Sequence, residues 1–351
     1  MRKAFLIIGL LSVLVCGCSR MVVRTRVGMD GPIDTRVTDL SPVSPVAGPL
    51  KPVVVENGTA GRIAILDVDG LLLNTPFVGP MSLGENPVAL FREKLNAIED
   101  DRCVKAVVLR INSHGGGVAA CQAMRRDLEK FKIRTGKPVV ACLLDTATGG
   151  AYHLASACDQ VVAGESTVTG GIGVILNLFN LQDLMAQFNI IPQPIKAGEK
   201  VDIGTSAKAL KPEDRKLLQA MADEFNGQLK ADIQRMRPAL RADETVMDGR
   251  IMTATQAKER GLVDQIGDMD AALILASSLS GPQSVAVKGR PQAVLYRRNN
   301  DPATSVYAVS ANIPLQGAGL FPNLPGLERS KLPTFLSVWQ PELTMEKLGG
   351  K

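Results

Sequence analysis

Short apolar runs alternate along the chain with segments whose apolar residues recur every three to four positions. The runs predict β-strands, because they are rich in Val, Ile and Leu and are bounded by turn-forming residues. The segments of helical period predict amphipathic helices. The predicted strands are residues 62–73, 104–112, 138–145 and 160–163, with a Gly-rich strand and loop at 167–175. The predicted helices are residues 87–101, 118–133, 149–157, 181–188 and 212–236, with residues 190–197 extended.

The order of these elements predicts the α/β class with a largely parallel sheet, because apolar strands that alternate with helices are covered by helices on their faces. Prolines are concentrated at the two ends of the chain, where 13 of the 21 lie outside residues 59–280. We therefore expect a folded domain over residues 59–280. A Pro-rich tether is expected over residues 18–58, and a loosely structured Pro-rich tail over residues 281–351.

The N-terminus has the features of an export signal. The basic residues Arg2 and Lys3 precede an apolar run, Ala4–Val15, that is too short to span a bilayer. The following residues resemble a bacterial lipobox, which implies a signal peptide of residues 1–17, lipidation of Cys18 and a lipid-anchored protein in the bacterial cell envelope. Ser19 favours the periplasmic side of the outer membrane. The alternative is an ordinary secretory signal with incidental cysteines.

Composition excludes several classes of function. The net charge of +5 is small for 351 residues, and no nucleic-acid-binding motif is present, so we expect no nucleic-acid partner. The chain has only two histidines, which excludes a His-rich metal site. No metal and no other cofactor is predicted.

Four cysteines follow Cys18: Cys103, Cys121, Cys142 and Cys158. Their spacing matches no zinc-binding pattern. An exported compartment permits disulfides, and the alternative that we favour is that they are small buried hydrophobic residues.

Two Gly-rich turns follow predicted strands. The first, Asn112–Val118, joins a strand to a helix, where backbone N–H groups suit an anion. It lacks the Gly-Lys-Ser/Thr of a P-loop. In the second, Thr148 precedes Gly149 and Gly150. This second turn has the pattern of a nucleophile elbow, in which Thr148 would present its hydroxyl outward and Gly149 N–H would face an oxyanion. The alternative is that Thr148 is only the N-cap of the following helix.

Five segments occur in an order and spacing that resemble the signal peptide peptidase A (SppA) family of the ClpP/crotonase superfamily. They are VLRINSHGGGV, DTATGGAY, TVTGGIGVI, IKAGEK and DGRIMTATQAKERGLVDQIG, and the resemblance covers roughly residues 60–280. It implies a ClpP/crotonase-like superhelix of repeated β-β-α units, peptide-bond hydrolysis by a Ser-Lys dyad, peptide substrates and a homo-oligomer.

The resemblance assigns a role to each site residue. It implies that Thr148 stands in the nucleophile position, and that the N–H groups of Gly116 and Gly149 stabilise the oxyanion. At the position of the family's lysine base this chain has Val201, with Lys200 one residue earlier. Neighbouring residues of an extended segment point to opposite faces, so Lys200 needs a local bulge to serve as the base.

The two histidines are further candidates for a general base. His114 stands where the family has Pro, and we consider it either an alternative base or a tolerated polar replacement. His153 lies five residues after Thr148 in the predicted helix, about 140° around the axis, so we expect no direct contact between them.

Two functions remain open from the sequence. The first is a membrane-tethered peptidase that uses Thr148 with Lys200 or His114. The second is a catalytically inactive scaffold that binds extended peptides by strand addition or assembles with partners. In the last predicted helix, a stripe of apolar residues favours either a homo-oligomer interface or packing within the chain. The stripe consists of Leu217, Met221, Phe225 and Leu229.

Overall fold

The computed structural model describes most of the chain after residue 47. The described residues are 48–76, 78–79, 82–83, 85–240, 244–281, 289–298, 301, 303–308 and 335–338. They belong to one compact unit, Ala47–Lys351. The predicted signal peptide, Cys18 and most of the predicted tether lie outside the described residues. None of the described helices is both long enough and apolar enough to cross a bilayer.

A mixed sheet of ten strands runs through the described residues, and its main path follows the order β1-β11-β2-β5-β6-β7-β10. The strands of this sheet are β1 Lys51–Glu56, β2 Arg62–Leu72, β5 Val104–Gly117, β6 Val139–Thr148, β7 Gln160–Ala163, β8 Val168–Gly170, β9 Ile251–Thr253, β10 Gln265–Ile266, β11 Gln292–Arg297 and β12 Leu336–Val338. A separate two-stranded ladder pairs β3 Val78–Gly79 with β4 Ser82–Leu83.

The central strands from β11 to β10 are parallel to their neighbours. β1 and β12 pair antiparallel at the periphery. The side chains of β2 alternate between two cores: Ala64 and Leu66 face one, and Ile63 and Ile65 face the other. Burial on both faces explains why this strand is a continuous apolar run. The predicted α/β fold with a largely parallel sheet is therefore confirmed.

Helices cover both faces of the sheet. They are α1 Pro87–Asp100, α2 Val118–Thr135, α3 Gly150–Ala155, α4 Gln182–Gln187, α5 Pro212–Met236, α6 Ala254–Glu259 and α7 Met269–Leu279, with a 3-10 turn at Glu244–Met247. Residues of α1, α2, α3 and α5 contribute to the first core, and residues of α7 contribute to the second. The five helices predicted from sequence are present with shifts of at most two residues at their ends.

The folded unit extends beyond the predicted limits of residues 59–280. β1 lies in the predicted tether, and β11 and β12 lie in the predicted tail. β11 lies between β1 and β2, with Ala293–Arg297 buried. Pro291 directly precedes β11, so the prolines of this region flank the strand and do not interrupt it.

A buried ion cluster connects β11 with β2 and α1. Arg297 lies 3.3 Å from Asp67 and 3.1 Å from Asp301, and Lys94 of α1 lies 3.0 Å from Asp67. Burial alone would raise the pKa of Asp67, but the charges of Lys94 and Arg297 outweigh it and lower the pKa to about 2. Hydrophobic patterning does not reveal these contacts, because the residues are charged.

Besides the domain limits, two sequence predictions differ from the structure, and a third left two alternatives open. Residues 190–197 form no strand and are exposed, with Ile195 completely accessible. Cys103 is exposed, contrary to the expectation for buried cysteines, whereas Cys121, Cys142 and Cys158 are buried, and all four thiols are free. The apolar stripe of α5 is divided: Leu229 is buried in the first core, while Leu217 and Met221 are exposed.

Candidate active site

The site contains a tight turn between β6 and α3. β6 ends at Thr148, α3 begins at Gly150, and Gly149 stands between them with φ 54° and ψ −121°. A positive φ is accessible to glycine without a steric penalty. The residue with strained backbone at this turn is Gly149, which directly follows Thr148, the residue that the resemblance places in the nucleophile position.

Thr148 is the last residue of β6, and its side chain is turned inward. It is completely buried and pairs with Gly170 of β8. Its hydroxyl donates to the carbonyl oxygen of His114 at 3.2 Å. The alternative role as a helix N-cap is wrong, because the N-cap of α3 is Gly149. Thr148 therefore acts as a strand residue in this structure.

The predicted oxyanion donor Gly149 N–H is already engaged. It donates to the carbonyl oxygen of Gly170 at 2.9 Å, which ties the elbow to β8. The prediction that this group faces an oxyanion is therefore incorrect in this conformation. The first N–H groups of a helix have no intrahelical acceptor, so the donor that the start of α3 offers is Gly150 N–H.

The first Gly-rich segment continues β5 rather than forming an open loop. Gly115 and Gly116 pair with Leu71 and Leu72 of β2. A Cβ on Gly116 would lie 2.0 Å from the carbonyl oxygen of Leu72, so only glycine fits there. The strand extends five residues beyond the predicted end at Asn112 because both of its edges are paired, with β2 on one side and β12 on the other.

β12 lies across the elbow as an antiparallel strand. It places Leu336, Ser337 and Val338 opposite Gly117, Gly116 and Gly115, respectively. On its other edge, Leu336 exchanges both backbone hydrogen bonds with Ile175, at 3.0 and 2.8 Å. The backbone of residues 336–338 is therefore held from two sides.

The alternation of the antiparallel ladder identifies which backbone groups face Gly116. Val118 N–H donates to the carbonyl oxygen of Phe335, and Leu336 bonds to the opposite edge. Hydrogen-bonded pairs alternate along such a ladder, so Ser337 and Gly116 form the next hydrogen-bonded pair. This assigns Gly116 N–H to the carbonyl oxygen of Ser337. Gly116 thus contacts the same peptide group, that of Ser337, that lies against Gly149.

The peptide group between Ser337 and Val338 rests directly on Gly149. A Cβ on Gly149 would lie 2.5 Å from the carbonyl oxygen of Ser337, 2.7 Å from its carbonyl carbon and 3.0 Å from the nitrogen of Val338. These distances are shorter than real Cβ contacts. The strand therefore occupies the space that a side chain at residue 149 would need.

Neither residue of the predicted base position is suited to accept a proton. Lys200 is 46% exposed and forms an ion pair with Asp214. The hydrogen bond to Asp214 raises the pKa of Lys200, whereas a lysine base requires a lowered pKa. Val201 is 68% exposed. The segment around both residues contains no bulged strand that would turn Lys200 inward.

The two histidines occupy different places. His114 is half-buried, and its carbonyl oxygen, not its ring, meets the Thr148 hydroxyl. His153 is buried in α3, with Nε2 3.3 Å from Oδ2 of Asp232 on α5. Burial lowers the pKa of His153 to about 4, with a further contribution from Arg125. Among the described residues, no group of three or more His, Cys, Asp or Glu is placed to hold a metal ion.

Sequence comparisons place this chain in a known family. The sequence model of Peptidase family S49 matches residues 132–281. A protein of Synechocystis sp. is 33% identical over 188 residues, which cover 53% of this chain and 67% of that relative. The chloroplastic serine protease SPPA of Arabidopsis thaliana is 32% identical over 225 residues, and Protease 4 of Salmonella typhi is 29% identical over 226 residues.

This chain belongs to peptidase family S49. The resemblance to the SppA family is thereby confirmed. The chain spans 32% of the length of the Arabidopsis relative and 35% of the Salmonella relative. Within this S49 domain, the residue with positive φ at the turn is Gly149, directly after Thr148. The signal that sequence reasoning missed is the unbroken β-strand character of residues 146–148, which lets β6 continue to Thr148 and leaves Gly149 at the turn.

Proposed function

We propose that this S49 domain binds extended peptides by strand addition and does not hydrolyse them. The observation that carries the proposal is the peptide group of Ser337 and Val338 lying against the bare Cα of Gly149. Backbone pairing on two edges supplies affinity without a nucleophile. The S49 fold thus provides the binding cleft, and the residues at its centre leave the bound peptide intact.

The chemistry of the site supports binding over hydrolysis. A covalent mechanism needs a nucleophile at the elbow and a neutral base beside it. Gly149 has no side chain, and the hydroxyl of Thr148 is bonded to a backbone carbonyl. Lys200 is held protonated by Asp214 in an exposed position. None of these three residues supplies the group that the reaction requires.

Peptide-bond hydrolysis is the second candidate function. It is favoured by the protease names of the relatives and by the position of the Thr148 hydroxyl one residue before the elbow. In this mechanism Thr148 would leave His114 and attack the carbonyl, with Lys200 or His114 as the base. The Thr148 methyl group restricts the rotation that this requires.

Two measurements on the full chain separate the two candidates. The first is binding and hydrolysis of an unstructured peptide, and the second is labelling by a fluorophosphonate probe. For wild type and Thr148→Ala we expect the same peptide affinity, no cleavage by mass spectrometry and no probe labelling. Cleavage by wild type that disappears in Thr148→Ala would establish the peptidase and overturn the proposal.

Adding side chains at the elbow gives a sharper test of the proposed function. The double variant Gly149→Ser with Val201→Lys supplies a hydroxyl and an amine, and the matched control is Gly149→Ala with Val201→Lys. The two double variants share the strain of a side chain at positive φ, so stability does not distinguish them. We expect probe labelling of the serine variant only. Equal labelling of both would show that the probe reacts elsewhere, for example at Thr148.

The proposed location is the periplasmic side of the bacterial outer membrane, through lipidation of Cys18. Stable anchoring needs more than one acyl chain, so the lipid must carry several. Cys18→Ser should abolish incorporation of labelled fatty acid and release the protein from membranes. Sedimentation of this variant with membranes after a high-salt wash would contradict the anchor.

We also propose that the domain forms a homo-oligomer through the exposed end of the α5 stripe. Leu217 and Met221 are exposed there, as are Phe188 and Ile191 of the preceding segment. Light scattering of wild type and of Leu217→Ser/Met221→Ser should show a loss of oligomer in the variant. A wild-type chain that is monomeric across micromolar concentrations would contradict this interface.

A further inference from the structure

The segment Phe335–Val338 fills a groove with a distinct environment for each side chain. The groove backbone is formed by Gly115–Gly117 on one side and Ile175 on the other. Successive side chains of a strand point to opposite faces, so residues 335 and 337 share one face and residues 336 and 338 share the other. Each face has its own lining.

One face of the segment is aliphatic. Leu336 is buried against Leu71 and Leu73 at the end of β2, and Val338 packs on the same cluster. This cluster is separate from the two cores of the sheet. It is therefore completed by residues of the bound strand, which is what a pair of side-chain subsites in a peptide groove requires.

The other face has an aromatic subsite and a small one. The rings of Phe335 and Phe225 on α5 meet edge to face, with centroids 5.0 Å apart. Ser337 lies in a pocket between α2, α3 and α5, and only about 10 Å³ is left around it, the lower limit for one water molecule. Besides Ser337, the pocket is lined by Val118, Cys121, Gln122, His153, Phe225, Gln228, Leu229 and Asp232.

The small pocket selects by size and not by polarity. The Ser337 hydroxyl is buried and has no hydrogen-bond partner among the described residues. A buried hydroxyl without a partner weakens binding relative to a methyl group of the same shape. Ala fits this pocket better than Ser, and an aromatic residue does not fit.

We propose that this groove selects extended peptides with the pattern aromatic–aliphatic–small–aliphatic, and that Phe335–Val338 is its displaceable intramolecular occupant. The inference rests on the proposed function, since it names the peptide class that the cleft binds. The partner is an extended segment of another protein with this pattern. Because the occupant belongs to the same chain as the groove, a partner peptide must compete with it.

The test measures binding of a fluorescein-labelled peptide with the sequence of residues 333–340, PTFLSVWQ, to the full-length protein. Ser337→Phe in the protein should expel the intramolecular strand and raise the apparent affinity for the labelled peptide at least tenfold. Ser337→Ala in the protein should retain the strand more firmly and lower the apparent affinity. Ser278→Phe, at an exposed serine of α7, is the matched control and should leave the affinity at the wild-type value.

The reciprocal change in the peptide completes the experiment. A labelled peptide that carries Ser337→Phe should fail to bind to any protein variant, and one that carries Ser337→Ala should bind more tightly than the parent. Binding that is insensitive to this residue, or equal affinity of wild-type and Ser337→Phe proteins, would overturn the inference alone. Absence of binding to every variant would overturn the proposed peptide binding as well. Cleavage of the parent peptide would overturn only the non-hydrolytic part of the proposed function.

Discussion

The strand-binding half of the site, Gly115–Gly117 with Ile175, differs from its reaction half, Thr148–Gly149 with Lys200–Val201, in the atoms that it uses. The strand-binding half works through backbone groups and glycines that are fixed by pairing on both sides. The reaction half would work through a hydroxyl and an amine on two segments. In this chain the backbone groups are paired, whereas the Thr148 hydroxyl donates to the carbonyl oxygen of His114 and the Lys200 amine pairs with Asp214.

The glycines of the two halves also differ in what they contact. The peptide group of Ser337 and Val338 lies against Gly149, which stands at the turn between β6 and α3. On β5, a Cβ on Gly115 would lie 2.2 Å from the carbonyl oxygen of Ser337, and a Cβ on Gly116 would lie 2.0 Å from that of Leu72. Neither position of β5 has space for a side chain.

The largest effect is expected in the strand-binding half, for Gly116→Ala. The added Cβ would meet the backbone oxygen of Leu72 at 2.0 Å, so β2 and β5 must separate. Overpacking of this kind costs about 1–3 kcal/mol and occasionally more, and we expect a matching loss in urea denaturation together with loss of peptide binding. Gly227→Ala is the control, since a Cβ at this helical position has nothing within 4 Å.

The control should move in the opposite direction. Alanine is a better helix former than glycine, so Gly227→Ala should stabilise the domain by about 0.5–1 kcal/mol and leave peptide affinity unchanged. Equal stability of Gly116→Ala and wild type would show that β5 can move away from β2. The strand-binding half would then be no more rigid than the reaction half.

The next effect concerns pH and the wall of the Ser337 pocket. The pKa of His153 is about 4 in the folded state and 6.5 when unperturbed, because of burial and of the charge of Arg125. The unfolded chain therefore binds the proton first as pH falls. Stability is fully present above pH 6.5 and is lost progressively as pH falls towards 4. A shift of this size corresponds to about 3 kcal/mol.

Urea denaturation of wild type and His153→Gln at pH 7.5 and pH 5 measures this contribution. The variant should lose less stability between the two pH values. Asp69 acts in the opposite direction, since burial and the charge of Asp67 raise its pKa to about 6 and its contribution falls as pH rises through that range. This contribution is common to both proteins and cancels in the comparison. Identical pH dependence of the two proteins would contradict the buried neutral state of His153.

The sequence predicted the framework of the fold more accurately than the details of the site. Periodicity located the helices of both faces and the central strands, because those patterns depend on burial alone. β11 was missed because Pro291 precedes it and because Arg297 is buried through ion pairs, which patterning does not detect. The burial of Thr148 in β6 was missed because a hydroxyl followed by two glycines does not reveal where the strand ends.

A smaller effect is expected in the reaction half, for Thr148→Val. The change keeps the shape of the side chain and removes the hydroxyl that donates to His114. Loss of one such hydrogen bond costs about 1 kcal/mol in urea denaturation. Peptide affinity and the absence of hydrolysis should be unchanged. Loss of a measurable peptidase activity in this variant would instead show that Thr148 is the nucleophile and that the reaction half is functional.

The smallest effect is expected for Lys200→Met, and it is the most direct test of the base. Lys200 is half exposed, and its amine pairs with Asp214 at the start of α5, so exposed ion-pair energetics apply and the contribution to stability is small. The matched control is Lys208→Met, which removes another lysine from the same surface, where it pairs with Asp202. Both variants should bind the labelled peptide with wild-type affinity across pH 6 to 9. A loss of activity specific to Lys200→Met that follows the titration of an amine would assign Lys200 as the base. The reaction half would then have a functional base at Lys200, and the contrast between the two halves would not hold.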